Sequence, residues 1–280
     1  MVEADIKKFF DTIDHDGMVQ MLAERIDDDA LLRLIRKWLK AGVLDTDGQV
    51  LHPVTGTPQG GTVSPILANV FLHDVLDSWC ANVVKPHCRG EACLIRYADD
   101  CVGAVEEQGD AERFYKVLGK RREQYGLELS AAKTRIISFN RHRLAGKTSF
   151  EFLGFEFRWG KDRKGKDHLK RRTARKKLRN ALKRFTAWCK ENRHLRLPVL
   201  FQGLNAKLRG YYNYYGVHGN AASLKQFFNS AMRILLKWLN RRSQRHSYTW
   251  QGYKDVLECF KVARPRIVGR PKTRQATLKT

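Results

Sequence analysis

The chain has 280 residues, 42% of them hydrophobic, and its 53 Lys and Arg against 29 Asp and Glu give a net charge of +24. That is enough apolar material for one large domain or two modest ones. The excess charge lies in the second half: residues 1–160 hold 21 basic and 24 acidic side chains, whereas residues 161–280 hold 32 and 5. Such asymmetry points to a polyanionic partner, nucleic acid ahead of an anionic membrane, since no apolar run approaches the ~20 residues that span a bilayer.

Six cysteines are scattered without a C-x-x-C pair, and the Cys88/Cys93 spacing is poor for zinc. The start is charged within three residues, so no signal peptide is read. Free thiols, mostly small buried apolar residues, and a cytoplasmic home of the bacterial type are expected.

Residues 2–10 read as a strand carrying Asp5. Asp14-His15-Asp16 and Asp27-Asp28-Asp29 each look like caps, opening helices over 18–26 and 31–39. Asp47-Gly48 signals a tight hairpin within 43–54, and 57–61 is a Gly-rich turn. Ser64 as cap with Pro65 at the first position opens a helix whose buried face is Ile66, Leu67, Val70, Phe71, Val75 and Trp79. A β-hairpin with Asp99-Asp100 at its tip follows, then a helix over 110–125 stopped by Gly126, and strands over 127–139 and 150–159.

From 160 the composition changes. Residues 161–167 read as a charged linker or loop, and three amphipathic helices follow: one from Leu169 to Trp188 with a basic face over 170–179, one from Pro198, and one after Gly219-Asn220. The first part is therefore α+β, an antiparallel sheet packed on helices; the second is all-α. The expected domains are 1–160, 161–262 and a loosely ordered basic tail, 263–280.

Two adjacent carboxylates repel, and a fold that keeps them together usually supplies a cation. Hard oxygen ligands with open positions suit Mg²⁺, above all where a phosphate adds oxygens. An isolated Asp-Asp is ordinarily a solvated turn. Here Asp5 on a separate strand, with a Gly-rich turn between the two motifs, provides what phosphoryl transfer between nucleotides needs: converging carboxylates for two divalent cations about 3.5–4 Å apart.

Y-A-D-D (97–100), A-D-I-K-K-F-F-D (4–11) and T-P-Q-G-G-T-V-S-P-I-L-A-N (57–69) resemble the successive motifs of a reverse transcriptase. With G-L-E-L-S-A-A-K-T (126–134), F-L-G-F (152–155) and L-R-G-Y-Y-N-Y-Y-G (208–216), the set resembles the group II intron-encoded reverse transcriptase/maturase branch over nearly the whole chain. The resemblance implies a palm followed by a helical thumb, or maturase, domain. It implies RNA-directed DNA synthesis with two Mg²⁺ ions, acting on an intron RNA template, a DNA or RNA primer and dNTPs.

Position by position, it implies that Asp5 and Asp99 bind both ions and Asp100 supports them. Phe10 would pack against the sugar and exclude a 2′-OH, with a core phenylalanine as the plain alternative. Ile6 and Lys7 would approach the triphosphate, and Gln59 and Gly60 would line the incoming nucleotide and template. Lys133 would sit near the carboxylates or phosphates, or else be a surface lysine. Leu153, Gly154 and Phe155 would form the primer grip. Lys170, Arg171, Arg172, Arg175 and Lys176, with Arg209, Tyr211, Tyr212 and Tyr214, would contact RNA. A solvated helix face and tyrosines capping a helical core are the alternatives there.

The family carries a fingers region ahead of the Asp5 motif, and this sequence opens directly on that motif. The expectation is an N-terminally truncated member, whether a fragment, one part of a split gene with a separate fingers fragment as a partner, or a misassigned start, and without the Cys/His nuclease module of endonuclease-bearing members. The rival expectation is an RNA-binding splicing maturase with no independent polymerase activity.

Overall fold

The computed structural model describes residues 1–4, 6–7, 9–40, 43–44, 50–51, 56, 62–129, 134–140, 148–162, 164–243 and 247–268. The chain forms two compact units, Met1–Asn140 and Arg141–Thr280.

In the first unit, β1 (Val2–Ala4) and β2 (Ile6–Lys7) lead into a short helix, α1 (Phe9–Thr12). The continuous strand expected over 2–10 therefore ends early, and Phe10 is helical. Helix α2 (His15–Ala23) begins where the Asp14 side chain accepts from the backbone N–H groups of Asp16 and Gly17, and α3 (Asp29–Leu39) where Asp28 accepts from Ala30 and Leu31. Both caps satisfy helix donors that have no partner inside the helix. The buried stripe of α3 is Leu32, Ile35 and Leu39, while Leu31 and Trp38 are exposed.

The antiparallel pair β3 (Val43–Leu44) and β4 (Val50–Leu51) matches the expected hairpin, whose Asp47-Gly48 turn lies outside the described residues. Helix α4 (Ser64–Leu72) starts one residue earlier than expected. Ser64 is its first, buried residue, and Val63, with no capping side chain, precedes it. The helix runs on through π-helical turns at His73–Ser78 and Cys80–Val84. Leu67, Phe71 and Val75 are buried, but Ile66 is 63% exposed and does not belong to the core face.

β5 (Ala92–Tyr97) and β6 (Asp100–Val105) form the hairpin, α5 (Gln108–Glu123) covers it, and β7 (Glu128–Leu129) and β8 (Arg135–Ile136) follow. The main sheet is antiparallel, in the order β5-β6-β1-β8. β1 is central, pairing Ala4 with Cys101 on one side and Val2 with Ile136 on the other. A buried core unites Val2, Ala4, Ile6 and Phe9 with Phe71, Val75, Phe114 and Leu118. Gly103 is required for this packing, because a Cβ there would lie 2.5 Å from the Phe114 ring.

The second unit begins with an antiparallel sheet, β9 (Ser149–Phe152), β10 (Phe155–Lys161) and β11 (Asp167–Thr173), with β10 in the middle. Of the two readings of 161–167, linker or loop, the loop holds: the stretch joins β10 to β11, and Lys161 pairs with Asp167 across it. Asp162 Oδ1 accepts from the backbone N–H groups of Lys164 and Lys166 and closes the turn. The compact units thus part at Asn140, ahead of the change in composition at 160.

Helices α6 (Arg175–Asn192), α7 (Leu197–Tyr215) and α8 (Ala221–Leu239) are the three expected; α9 (Trp250–Cys259) is a fourth. They share a core built on Phe185, Leu204, Leu208, Phe227, Leu235 and Tyr253. Asn220 is fully buried at the start of α8. Its Oδ1 accepts from Thr173 N at 2.8 Å, and its Nδ2 donates to Thr173 Oγ1 and to Tyr215 O, each at 2.9 Å. The stretch after α9 is anchored: Ala263 N donates to Asn205 Oδ1 at 2.7 Å and Val268 N to Gly216 O at 2.6 Å. The remainder of the expected tail, 269–280, lies outside the described residues.

Cys80, Cys101 and Cys189 are buried as expected, Cys88 is half-buried, and Cys93 and Cys259 are exposed; all six thiols are free. Burial pushes the Cys80 thiol up to about 11 and the Cys189 thiol up to about 12. Among the described residues no helix is long and apolar enough to cross a membrane.

Candidate active site and nucleic-acid surface

The two-residue turn Ala98-Asp99 joins β5 to β6, and Tyr97 pairs with Asp100 across it. Ala98 has φ 52°, the left-handed first position of a tight turn. Asp99 is therefore in the turn and Asp100 opens β6. Asp99 is half-buried, Asp100 exposed, and Tyr97 66% exposed.

Alternation along β5 turns Cys93, Ile95 and Tyr97 outward and Ala92, Leu94 and Arg96 inward. The inward Arg96 side chain is 11% exposed. Its Nε and Nη2 donate to the two carboxylate oxygens of Asp77, at 2.8 and 2.6 Å. Its Nη1 donates to Asn69 Oδ1 at 2.9 Å and to the Ala98 carbonyl at 3.1 Å. Sequence reading assigned nothing to Arg96, Asn69 or Asp77. The available signal was a lone cation on the inward face of an alternating strand.

Asp5 lies outside the described residues, as do Gln59, Gly60 and Lys133. Asp5 is flanked in sequence by Ala4, opposite Cys101, and Ile6, opposite Leu129. Lys7 is described by its backbone alone, paired with Glu128. Ile6 is a buried core residue. Phe10 is half-buried against Phe9, their ring centroids 5.4 Å apart. Gly56, the residue before the Gly-rich turn, is locked to the same segment. Its N–H donates to Ile13 O at 2.8 Å, its carbonyl contacts buried His15 Nε2, and a Cβ there would meet Phe10 O at 2.6 Å. Its φ of 89° is left-handed as well.

Among the described residues no three His, Cys, Asp or Glu side chains cluster as a metal site. Asp99 and Asp100 nonetheless fit a hard divalent cation: they are carboxylate oxygens at an accessible tip, next to the strand that runs into Asp5.

In the second unit Leu153 and Gly154 form the tip of the β9–β10 hairpin, with φ 50° and 76°. Two left-handed residues make a type I′ turn, whose twist suits a two-residue hairpin. Tyr214 Oη donates to Leu153 O at 3.0 Å, and Ala174 N donates to Gly154 O at 2.9 Å. Phe155 is stacked on Tyr214 and meets Tyr215 edge-on.

The residues expected to touch RNA divide sharply. Lys170, Arg171 and Arg172 are on strand β11, not on the helix, because 167–173 pairs with β10 along its whole length. Arg172 is not available: its Nε and Nη2 donate to Glu156 at 2.9 and 2.7 Å. That hydrogen bond holds the Glu156 carboxyl below the usual carboxylate range. Arg171 commits its Nε to His218 O at 2.7 Å.

Tyr212, expected to touch RNA, is not available either. It is 0% exposed, and its hydroxyl donates to Ala263 O at 3.2 Å. Tyr211 is half-buried and stacked on Phe227 at 3.7 Å. Burial pushes both phenols far up. Lys170, Arg175, Lys176 and Arg209 are exposed, as is Tyr214 at 54%. Residues 141–280 carry 36 basic against 7 acidic side chains.

A family model described as reverse transcriptase (RNA-dependent DNA polymerase) matches residues 1–157. An uncharacterized 91 kDa protein in the cob intron of Schizosaccharomyces pombe is 46% identical over 82 residues, 29% of this chain and 10% of that one. The group II intron-encoded protein LtrA of Lactococcus lactis subsp. cremoris is 46% identical over 74 residues, 26% of this chain and 12% of that one. Protein YkfC of Escherichia coli is 35% identical over 74 residues, 26% of this chain and 19% of that one. This chain therefore matches only a small part of the length of these relatives. A structure of telomerase from Candida tropicalis aligns over 93% of this chain and 45% of that one, at 10% identity and a TM-score of 0.45. With more than half of its length matched by the family model, and similar proteins named for the introns that encode them, the chain belongs to the reverse transcriptase family.

Proposed function

We propose that this chain catalyses RNA-directed DNA synthesis in the service of a group II intron. The observation that carries the reading is the Asp99-Asp100 hairpin tip, whose strand β6 pairs with β1, the strand that runs into Asp5. Asp5 and Asp99 would hold a pair of Mg²⁺ ions, and Asp100 would support them. When bound, the ions supply the positive charge that stabilises the attacking 3′-oxygen and the departing diphosphate.

The remaining steps are positioning. Ile6 and Lys7 offer backbone N–H groups to the dNTP triphosphate, and Phe10 limits the space beside its sugar. Gln59 and Gly60 line the base pair being formed, and Lys133 stands near the phosphates. Leu153, Gly154 and Phe155 hold the primer strand. The template RNA runs along exposed Lys170, Arg175, Lys176 and Arg209, where phosphate contacts set its track and no base is read.

Primer extension on an RNA template with Mg²⁺, compared with Asp99→Asn, tests this. Incorporation should fall by about a hundred- to a thousandfold, the scale on which removing charge stabilisation at a reacting centre acts. Incorporation unaffected by the substitution rejects the assignment.

The charge of residues 141–280 favours a second reading, an RNA-binding splicing maturase that does not polymerise. Tight, salt-sensitive intron RNA binding that promotes splicing with no dNTP incorporation would select it.

A further inference from the structure

We infer that Arg96, set by Asp77 and Asn69, is a positioning residue for the turn that carries Asp99 and Asp100; the inference rests on the polymerase reading of that turn. A guanidinium is a planar fork with five N–H donors, and four of Arg96's are used. Asp77 takes the Nε/Nη2 edge with both oxygens, which fixes the plane of the fork. The plane in turn fixes the direction of Nη1, and Nη1 ends on the Ala98 carbonyl. Asn69 accepts from the same nitrogen and keeps it from rotating away.

The target of this device is specific. Ala98 is held in left-handed backbone, which an L-residue with a Cβ adopts reluctantly. A hydrogen bond to its carbonyl favours that conformation over its alternatives, and the peptide so fixed is the one that leads into Asp99.

The anchors come from one continuous helical segment. Asn69 is on α4, and Asp77 is in the π-helical turn His73–Ser78, where the widened spiral departs from regular spacing. His73 Nδ1 lies 3.5 Å from the same Asp77 carboxylate. Asn69 is exposed, so its side chain adds little to the core. Its contact with Arg96 is what the last residue of the 57–69 motif contributes here.

A merely structural ion pair between β5 and the helix would need Asp77 alone. A positioning role predicts that the turn and the chemistry respond when the fork is lost but the charge pair is kept. Arg96→Lys does this, since an ammonium can face Asp77 but cannot also span Asn69 and Ala98. The full chain should be compared as wild type, Arg96→Lys, Asn69→Ala and Asp99→Asn, by amide hydrogen exchange over residues 97–101, thermal melting, and kcat and KM for dNTP.

Arg96→Lys is expected to melt within a few degrees of wild type, with exchange at the turn faster by about three- to tenfold, the effect of one lost hydrogen bond. Its kcat should fall by a similar factor while KM for dNTP holds. Asn69→Ala should move exchange and kcat the same way by less, and it carries the test if the lysine variant does not fold.

Unchanged exchange at the turn in both variants overturns the inference, with or without measurable incorporation. Faster exchange with unchanged kcat, in an enzyme that Asp99→Asn inactivates, overturns it too while leaving the polymerase reading intact. An Asp99→Asn variant that incorporates normally overturns the polymerase reading, and with it any catalytic purpose for Arg96.

Discussion

Tyr214 donates its hydroxyl to the carbonyl of Leu153, 61 residues away, at 3.0 Å. The same tyrosine stacks on Phe155, and Tyr215 closes the turn from another side. A helix of the second unit thereby holds the Leu153-Gly154 hairpin tip, and these tyrosines serve the tip before they serve any ligand. Tyr214→Phe keeps the ring stack and loses the donor, so a cost of about 0.5–1 kcal/mol is expected in urea unfolding. Gly154→Ala should cost about 1–2 kcal/mol, because its φ of 76° is left-handed and a Cβ would lie 3.0 Å from Tyr215 Oη. An alanine variant as stable as wild type would show that the turn does not need this backbone.

Exposed and paired basic side chains should behave differently toward RNA. Arg175→Ala with Lys176→Ala removes two exposed cations, and the slope of log affinity against log salt should become shallower by about 1.5. Arg172→Ala should leave that slope unchanged and lower stability by about 1–3 kcal/mol, because Glu156 would lose its partner in a largely buried position. Filter binding across a salt series, beside a melting curve, separates the two effects.

The same pair sets an acid limit. Hydrogen bonding to Arg172 depresses the Glu156 pKa in the folded chain. Its contribution to stability is therefore fully present above the unfolded glutamate value of about 4.3, and it is lost as pH falls through the lower folded value. Glu156→Gln should be less stable than wild type at pH 6, and the difference should narrow steadily toward pH 3. A constant difference across that window would mean that Glu156 does not titrate with folding.

The first unit depends on a glycine that no turn requires. Gly103→Ala would push a methyl group into the Phe114 ring. A loss of about 1–3 kcal/mol is expected from overpacking, measured as a lower denaturation midpoint with an unchanged slope.

Much of this molecule is written in local sequence. The caps Asp14 and Asp28, the spacing of Leu32, Ile35 and Leu39, and the Asp99-Asp100 hairpin tip are set by residues within a turn or two of each other. Their physics is backbone hydrogen bonding and side-chain period, which short windows contain. The order of the motifs was enough to indicate the family.

Tertiary structure decided which polar side chains remain available. L-K-R-R-T over 169–173 suits a basic helix face as well as a strand, and pairing with β10 settled it as strand. That pairing brings Glu156 to Arg172, and helix packing buries Tyr212 while it leaves Tyr214 outside. Arg96 gains its purpose only when a helix carrying Asn69 and Asp77 lies under the hairpin. A side chain's type follows from the sequence, but its partner depends on which distant segments the core draws together, and that is a property of packing over the whole unit.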